Sequence, residues 1–375
     1  MKVGILTLPL HSNFGYLMQA YALQVVVKKL GHQPYTIYTR EEPVPYRRRI
    51  SNAIKRFVKN IFCKTDYTIF PYYPTANDYQ YKDKNTWNFI KSHLSLSPYV
   101  NIDTKEGIDS ICNYDAYIVG SDQVWRREYA GDIMFYFFDF LKENQRRMSY
   151  AASFGNAKPT YSADLRNKCK QLIASFEVVT VREEDGISLC KHMFDKKAQK
   201  VLDPTLLLTK ADYEALIDTN ESDVPLKKYI FAYILDNTPE REQIIEQFAK
   251  EKHYEVFKLL PKRLEDEGKA HIDECIYPSI ATWIRAFAGA EYIFTDSFHG
   301  TVFSLLFNKQ FSVFCNYKRG ASRIVSLLND FNLACRLVKN SDLPSETIDY
   351  NSVESILSEK QNESMRILTS FLTES

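Results

Sequence analysis

Glycine is scarce in this chain: 12 of 375 residues, under half the ~7% of an average protein. The glycines stand at 4, 15, 31, 107, 120, 131, 155, 186, 268, 289, 300 and 320, and no two are two or four apart. That spacing excludes a G-x-G-x-x-G dinucleotide fingerprint and a G-x-S-x-G nucleophile elbow. No glycine leads into a G-K-[ST] phosphate loop. The seven histidines are scattered, so H-E-x-x-H is absent. The seven cysteines contain no C-x-x-C pair, and their odd number suits reduced thiols. No metal site is expected. Charge of one sign is lacking too: 48 Lys and Arg face 47 Asp and Glu, a formal net charge of +1. No nucleic-acid partner is expected from so small a basic excess. No apolar run approaches the ~18 residues of a membrane span. The longest, Ile133–Leu141, is broken by Asp139. The opening MKVGILTLPLHSNFG lacks the long apolar core of a secretory signal, so a cytoplasmic location is expected.

What is present reads as α/β. Lys2–Leu8 is an apolar strand, Asn13-Phe14-Gly15 a turn, and Tyr16–Leu30 a helix stopped by Gly31. A strand at Tyr35–Tyr38 follows, with others expected at Ala116–Val119, Met148–Ala152 and Val178–Arg182. The segment KVLDPTLLLTK, 200–210, reads as a crossover, because Pro204 breaks its apolar run. A second α/β pattern begins at Tyr229–Leu235 and runs through strands at Tyr254–Leu259, Tyr292–Thr295 and Phe311–Phe314. Residues 260–277 read as a charged surface loop. The segment Ser352–Leu372 is an amphipathic helix.

Segment 46–62, YRRRISNAIKRFVKNIF, stands apart. At helical spacing Ile50, Ile54, Phe57, Val58 and Ile61 share one face, and Arg48, Arg49, Lys55, Arg56 and Lys59 take the other. Two readings are open: a surface helix docked by its apolar face, or a membrane-surface element.

The densest chemical cluster is Thr295-Asp296-Ser297-Phe298-His299-Gly300-Thr301, between an apolar strand and an apolar helix. Ligands of open α/β sheets bind at such strand ends, and the helix start offers unpaired N–H groups to an anion. His299 is placed for acid–base work, and Ser297 and Thr301 could donate to anionic oxygens. Arg182 ends the strand VVTV. It reads either as a carboxylate clamp or as a salt-bridge partner of Glu183-Glu184-Asp185. Arg323 is a second anion-clamp candidate. Gly120-Ser121-Asp122-Gln123-Val124-Trp125 resembles a sugar-binding loop, with Asp122 and Gln123 for hydroxyls and Trp125 for stacking, or else a turn with a core Trp. Asn13, Gly15 and Gln19 follow the first strand in a similar way, as binding groups or as a helix cap and turn.

NFGYLMQAYALQ, YDAYIVGSDQVW, YAASFG, VREEDG, VLDPTLLL, YIFAYILD and AEYIFTDSFHGTVFSLLFNKQF occur in this order. Together they resemble the polysaccharide pyruvyl transferase family, from about residue 2 to about 336. The resemblance implies a GT-B-like fold of two Rossmann-like domains facing an interdomain cleft. Residues 1–198 would form the acceptor side and 199–350 the phosphoenolpyruvate side, with 351–375 a C-terminal helix packing back on the first domain. It implies transfer of pyruvate from phosphoenolpyruvate, as a ketal, onto a sugar of a capsule, an exopolysaccharide or a polyprenyl-diphosphate-linked precursor. Phosphoenolpyruvate is the donor substrate, and no cofactor is implied. The family's histidine maps onto His299 and its V-R-E arginine onto Arg182. Many members carry Arg two residues before that histidine. Ser297 stands there, leaving Arg323 or Arg285 to replace the anion contact. The alternatives are a GT-B glycosyltransferase using a nucleotide sugar and a non-catalytic glycan-binding relative.

Overall fold

Strands buried on both faces need near-continuous apolar runs, and two sets of such runs build two parallel sheets. The computed structural model describes every residue except 41–45, 64–68, 70–71, 218–223, 340–341 and 374–375. The first sheet holds β1 (Lys2–Leu6), β2 (Gln33–Tyr38), β3 (Leu96–Tyr99), β4 (Ala116–Val119), β5 (Arg146–Ala152), β6 (Val178–Val181) and β7 (Gln199–Lys200). Its order is β3-β2-β1-β4-β5-β6-β7. Val3 pairs in parallel with Pro34 on one side and Ala116 on the other. The second sheet holds β8 (Tyr229–Tyr233), β9 (Glu255–Phe257), β10 (Tyr292–Thr295) and β11 (Gln310–Val313), in the order β11-β10-β8-β9. All of its pairings are parallel.

This is the GT-B-like α/β arrangement that the family resemblance implies. The strand order reverses between β1 and β4 in one sheet and between β8 and β10 in the other. Crevices for ligands open at the carboxyl ends of strands at such reversals.

The two units share one apolar core. Phe14, at the start of the helix Phe14–Lys29, stacks on Trp283 of the helix Ile280–Gly289, with ring centroids 5.4 Å apart. The helix Tyr350–Thr373 begins on the second unit, where Tyr350 donates to the Ser304 carbonyl at 3.3 Å. It ends on the first, where Arg146 donates to the Phe371 carbonyl at 2.6 Å. Midway, the Ser364 hydroxyl accepts from Leu202 N at 3.0 Å.

Some elements differ from the reading by pattern. The sequence suggests a loop through 260–277, but this region holds short helical turns at Leu264–Glu267 and Lys269–Cys275. The helix after β10 starts at Phe298, so His299 sits in its first turn.

Candidate active site

A cavity of about 380 Å³ lies between the two sheets. The first unit supplies the loop after β1 (Leu8, Pro9, His11, Asn13), then Tyr16, Asp122, Gln123, Glu128 and Tyr129. The second unit supplies Leu235 after β8, the run Asp296–His299 after β10, and Asn316, Arg319, Gly320, Arg323 and Ile324 after β11. Both strand reversals therefore open onto the same space.

His299 is 6% exposed. Its Nε2 lies 3.7 Å from Asp203 Oδ2, within ion-pair distance but beyond hydrogen-bond length, and makes no hydrogen bond. A Cβ placed on Gly15 would stand 2.1 Å from His299 Nδ1. The ring is thus set between a carboxylate on one edge and a bare backbone on the other.

Asp203 is the hub. Its Oδ2 also accepts from Arg182 Nη1 at 2.7 Å and Ser121 Oγ at 2.9 Å, while its Oδ1 accepts from Thr205 Oγ1 at 2.6 Å. Burial works against its ionisation, but His299, Arg182 and Thr205 outweigh it and hold the carboxyl well below the usual range. Arg182 also donates to Asp122 Oδ1 at 3.2 Å and lies over the Phe298 ring at 4.3 Å. Burial would weaken its charge, yet Asp122, Asp203 and Glu183 raise its pKa above the ordinary value. Arg182 is fully enclosed and does not line the cavity. Of the two readings of this residue, salt-bridge partner describes its placement: it meets Asp122 and Asp203, and its Nε lies 4.0 Å from Glu183 Oε2 of the acidic run.

Arg323 does line the cavity. Its Nη1 lies 3.5 Å from Asp122 Oδ1, and its buried Nε has no hydrogen-bond partner. Burial, then the neighbouring Arg182, lowers its pKa. A guanidinium held beside another cation with an unpaired N–H calls for an anionic acceptor. Arg319, on the same wall, grips Asp236 through two bonds of 2.6 and 3.2 Å. Asp296 fixes this wall by accepting from Leu235 N at 2.6 Å, Asn316 Nδ2 at 2.8 Å and Arg241 Nη1 at 3.0 Å. Arg285 is not on the wall.

The other sequence candidates divide. Ser297 lines the cavity and caps the helix, its hydroxyl accepting from Gly300 N at 3.3 Å. Asn13 lines it and caps Phe14–Lys29 through Tyr16 N at 3.3 Å. Gln123 lines it, with its Oε1 accepting from Arg126 Nη1 at 2.8 Å. Gln19 stands behind it and holds the Asp122 loop by accepting from Ser121 N at 2.9 Å. Thr301 and Trp125 do not reach the cavity. Thr301 is fully buried, and its hydroxyl donates to the Ser297 carbonyl at 3.0 Å. Trp125 is a core residue: its ring stacks on Phe137 at 5.1 Å and its Nε1 donates to the Tyr136 carbonyl at 3.2 Å. The sugar-stacking expectation for Trp125 is therefore corrected.

Sequence reasoning passed over Asp203, Arg319 and Tyr16. An acidic residue before Pro204, inside an otherwise apolar run, was the sign available for Asp203. The pairing of Arg319 with Arg323 around Gly320 was the sign for Arg319.

The polysaccharide pyruvyl transferase family matches residues 13–317. The chain belongs to that family. No curated protein sequence matches it. Among solved structures, a putative UDP-N-acetylglucosamine 2-epimerase from Listeria monocytogenes is similar at TM-score 0.49 and 8% identity, covering 100% of this chain and 97% of its own. An alpha-glucosyltransferase in complex with UDP is similar at TM-score 0.47 and 9% identity, covering 99% and 95%. MurG of Acinetobacter baumannii is similar at TM-score 0.38 and 10% identity, covering 100% and 99%.

Proposed function

We propose that this transferase moves pyruvate from phosphoenolpyruvate onto two hydroxyls of a sugar as a ketal, in the cytoplasm. The acceptor in this reading belongs to a capsule, an exopolysaccharide or a polyprenyl-diphosphate-linked precursor. The observation that carries it is the unpaired buried Nε of Arg323, in the wall of a cavity that also holds His299 and Arg319. Phosphoenolpyruvate brings a carboxylate and a phosphate, and two guanidiniums beside a helix start suit that pair. The volume of about 380 Å³ lies in the range of small-ligand sites.

In the reaction a proton adds to the methylene carbon, and a sugar hydroxyl attacks the cationic carbon beside it. The carbon–oxygen bond to phosphate then breaks, and the second hydroxyl closes the ketal. Of the two hydroxyl protons, one replaces the proton spent on the methylene and the other leaves with phosphate. Asp203 favours a proton on the His299 edge that faces it, while the opposite edge packs on the bare backbone of Gly15. His299 then serves as acid and base, and the Arg182–Asp203–Asp122 network holds its setting.

The test is incubation with phosphoenolpyruvate and a panel of glycans, reading phosphate release and the mass gain of a pyruvyl ketal on the sugar. Turnover with a nucleotide sugar in place of phosphoenolpyruvate overturns the reading. Glycan binding with no phosphate release from any donor pair does the same.

A further inference from the structure

The helix Tyr46–Cys63 presents its apolar side to solvent. Ile50, Ile54, Phe57 and Ile61 are 45, 59, 51 and 55% exposed, and Phe62 next to them is 79% exposed. The opposite side carries Ala53, which is buried, and Arg49, Asn52, Arg56 and Asn60, which are half-buried. The helix therefore meets the rest of the protein by its polar and small residues. Tyr73 donates to the Arg49 carbonyl at 3.4 Å, and the Arg49 guanidinium lies 5.0 Å above the Tyr73 ring. Of the two readings open in the sequence, docking by the apolar face is not what the structure shows. The side chain of Arg48 lies outside the described residues.

The charge of this helix has one sign. The helix carries Arg47, Arg48, Arg49, Lys55, Arg56 and Lys59 and not one Asp or Glu. A second copy docked on the same face would bring these cations against their own kind. A surface of anionic headgroups over an apolar interior matches both features. The position is also apt. The helix follows β2, the neighbour of β1, and the loop after β1 lines the cavity. Further along the chain, the helix Ala76–Lys82 reaches the cavity rim: Lys82 donates to Ser12 Oγ at 3.0 Å, next to His11 and Asn13 of the wall.

We infer that the helix 46–63 seats the protein on an anionic lipid surface, its apolar stripe entering the interface and its exposed Arg47, Lys55 and Lys59 pairing with headgroups. The inference is independent of pyruvyl transfer, because binding is read without turnover.

Flotation of the full chain with phosphatidylcholine vesicles, with and without phosphatidylglycerol, tests it. Binding is expected only with phosphatidylglycerol and is expected to weaken as salt rises. Phe57→Glu with Ile61→Glu should abolish it. Arg47→Glu with Lys55→Glu and Lys59→Glu should lower partitioning by roughly 100-fold. All five positions are exposed, so both variants should melt like the parent by circular dichroism. No binding at low salt, equal binding to vesicles without phosphatidylglycerol, or unchanged binding in either variant overturns the inference. A dimer in solution that ignores vesicles and falls apart in the Phe57→Glu, Ile61→Glu variant also overturns it, and gives the face to a second copy.

Discussion

Gly15 and His299 meet across the junction of the two units with no room for a side chain between them. A Cβ on Gly15 would lie 2.1 Å from His299 Nδ1. A second contact of this kind lies nearby, where a Cβ on Gly320 would stand 2.1 Å from the Gly155 carbonyl. Few glycines are available, and these sit where the two halves of the cleft close on each other. The apolar stack of Phe14 on Trp283 holds the same junction from behind. Such packing favours a cleft whose closed geometry is largely built in.

Gly15→Ala is expected to displace the His299 ring. Alanine is the better helix former, so the helix Phe14–Lys29 itself should tolerate the change. The cost should appear in turnover, with a fall of about tenfold or more, since small misplacements of catalytic groups cost up to ~10²-fold. Steady-state assay of phosphate release checks this. Turnover like that of the parent would show that the imidazole can find its place without the bare backbone.

His299→Ala is expected to lower ketal formation by ~10²–10⁴-fold, the usual weight of a general acid or base. Asp203→Asn keeps the shape but removes the charge facing Nε2. It should shift the pH–rate profile of the enzyme, which a purely structural role would not do. Mass analysis of the pyruvylated sugar and a pH series decide these points. Full activity in the His299→Ala variant removes it from the chemistry.

Arg182→Ala calls for a different expectation. The side chain is sealed behind the cavity and joins Asp122 and Asp203, both fully buried. Removing it takes from two buried carboxylates their shortest ion pair and leaves only Arg323 at 3.5 Å from Asp122 and His299 at 3.7 Å from Asp203, at a cost of about 3–5 kcal/mol. Chemical denaturation should show this loss directly. A variant as stable as the parent would mean that water or another residue replaces the guanidinium.

The apolar strands and the TDSFHGT block could be read along the chain because both depend on neighbours in sequence. The hub around Asp203 could not. Its partners are Ser121, Arg182 and His299, and only the folded sheets bring them together. Trp125 follows small and polar residues, as a sugar-stacking residue would, yet Phe137 covers its ring. β3 escaped because LSPY is short, interrupted by Pro98 and exposed at its end. The helix at 46–63 was visible from its period, but the period is the same whichever face docks.

Acid should weaken the fold partly through Asp203. Its folded-state pKa is depressed, so the unfolded chain, with an ordinary value of ~3.9, takes up the proton first as pH falls. The stability this carboxylate contributes is complete above about pH 4 and drains away below it. Urea unfolding of the parent and of Asp203→Asn at pH 6 and near pH 3 measures the difference. The parent should lose more stability over that interval than the variant. Equal losses would show that other carboxylates govern the acid response.

The last expectation concerns donor binding. Arg323 lines the cavity and its buried Nε has no hydrogen-bond partner, whereas Arg319 lines it already committed to Asp236. If phosphoenolpyruvate supplies the missing acceptor, Arg323→Ala loses a charge-assisted bond worth about 1.5–3 kcal/mol. That corresponds to a rise of roughly 10–150-fold in KM for phosphoenolpyruvate. Arg323→Lys should recover little of it, because an ammonium lacks the planar fork that meets a carboxylate or phosphate. Arg319→Ala should have a smaller effect, since its guanidinium must leave Asp236 before it can serve a ligand. Calorimetry with phosphoenolpyruvate alone separates binding from catalysis. An unchanged affinity in Arg323→Ala would remove this residue from the donor site, and a larger loss in Arg319→Ala would transfer the role to its neighbour.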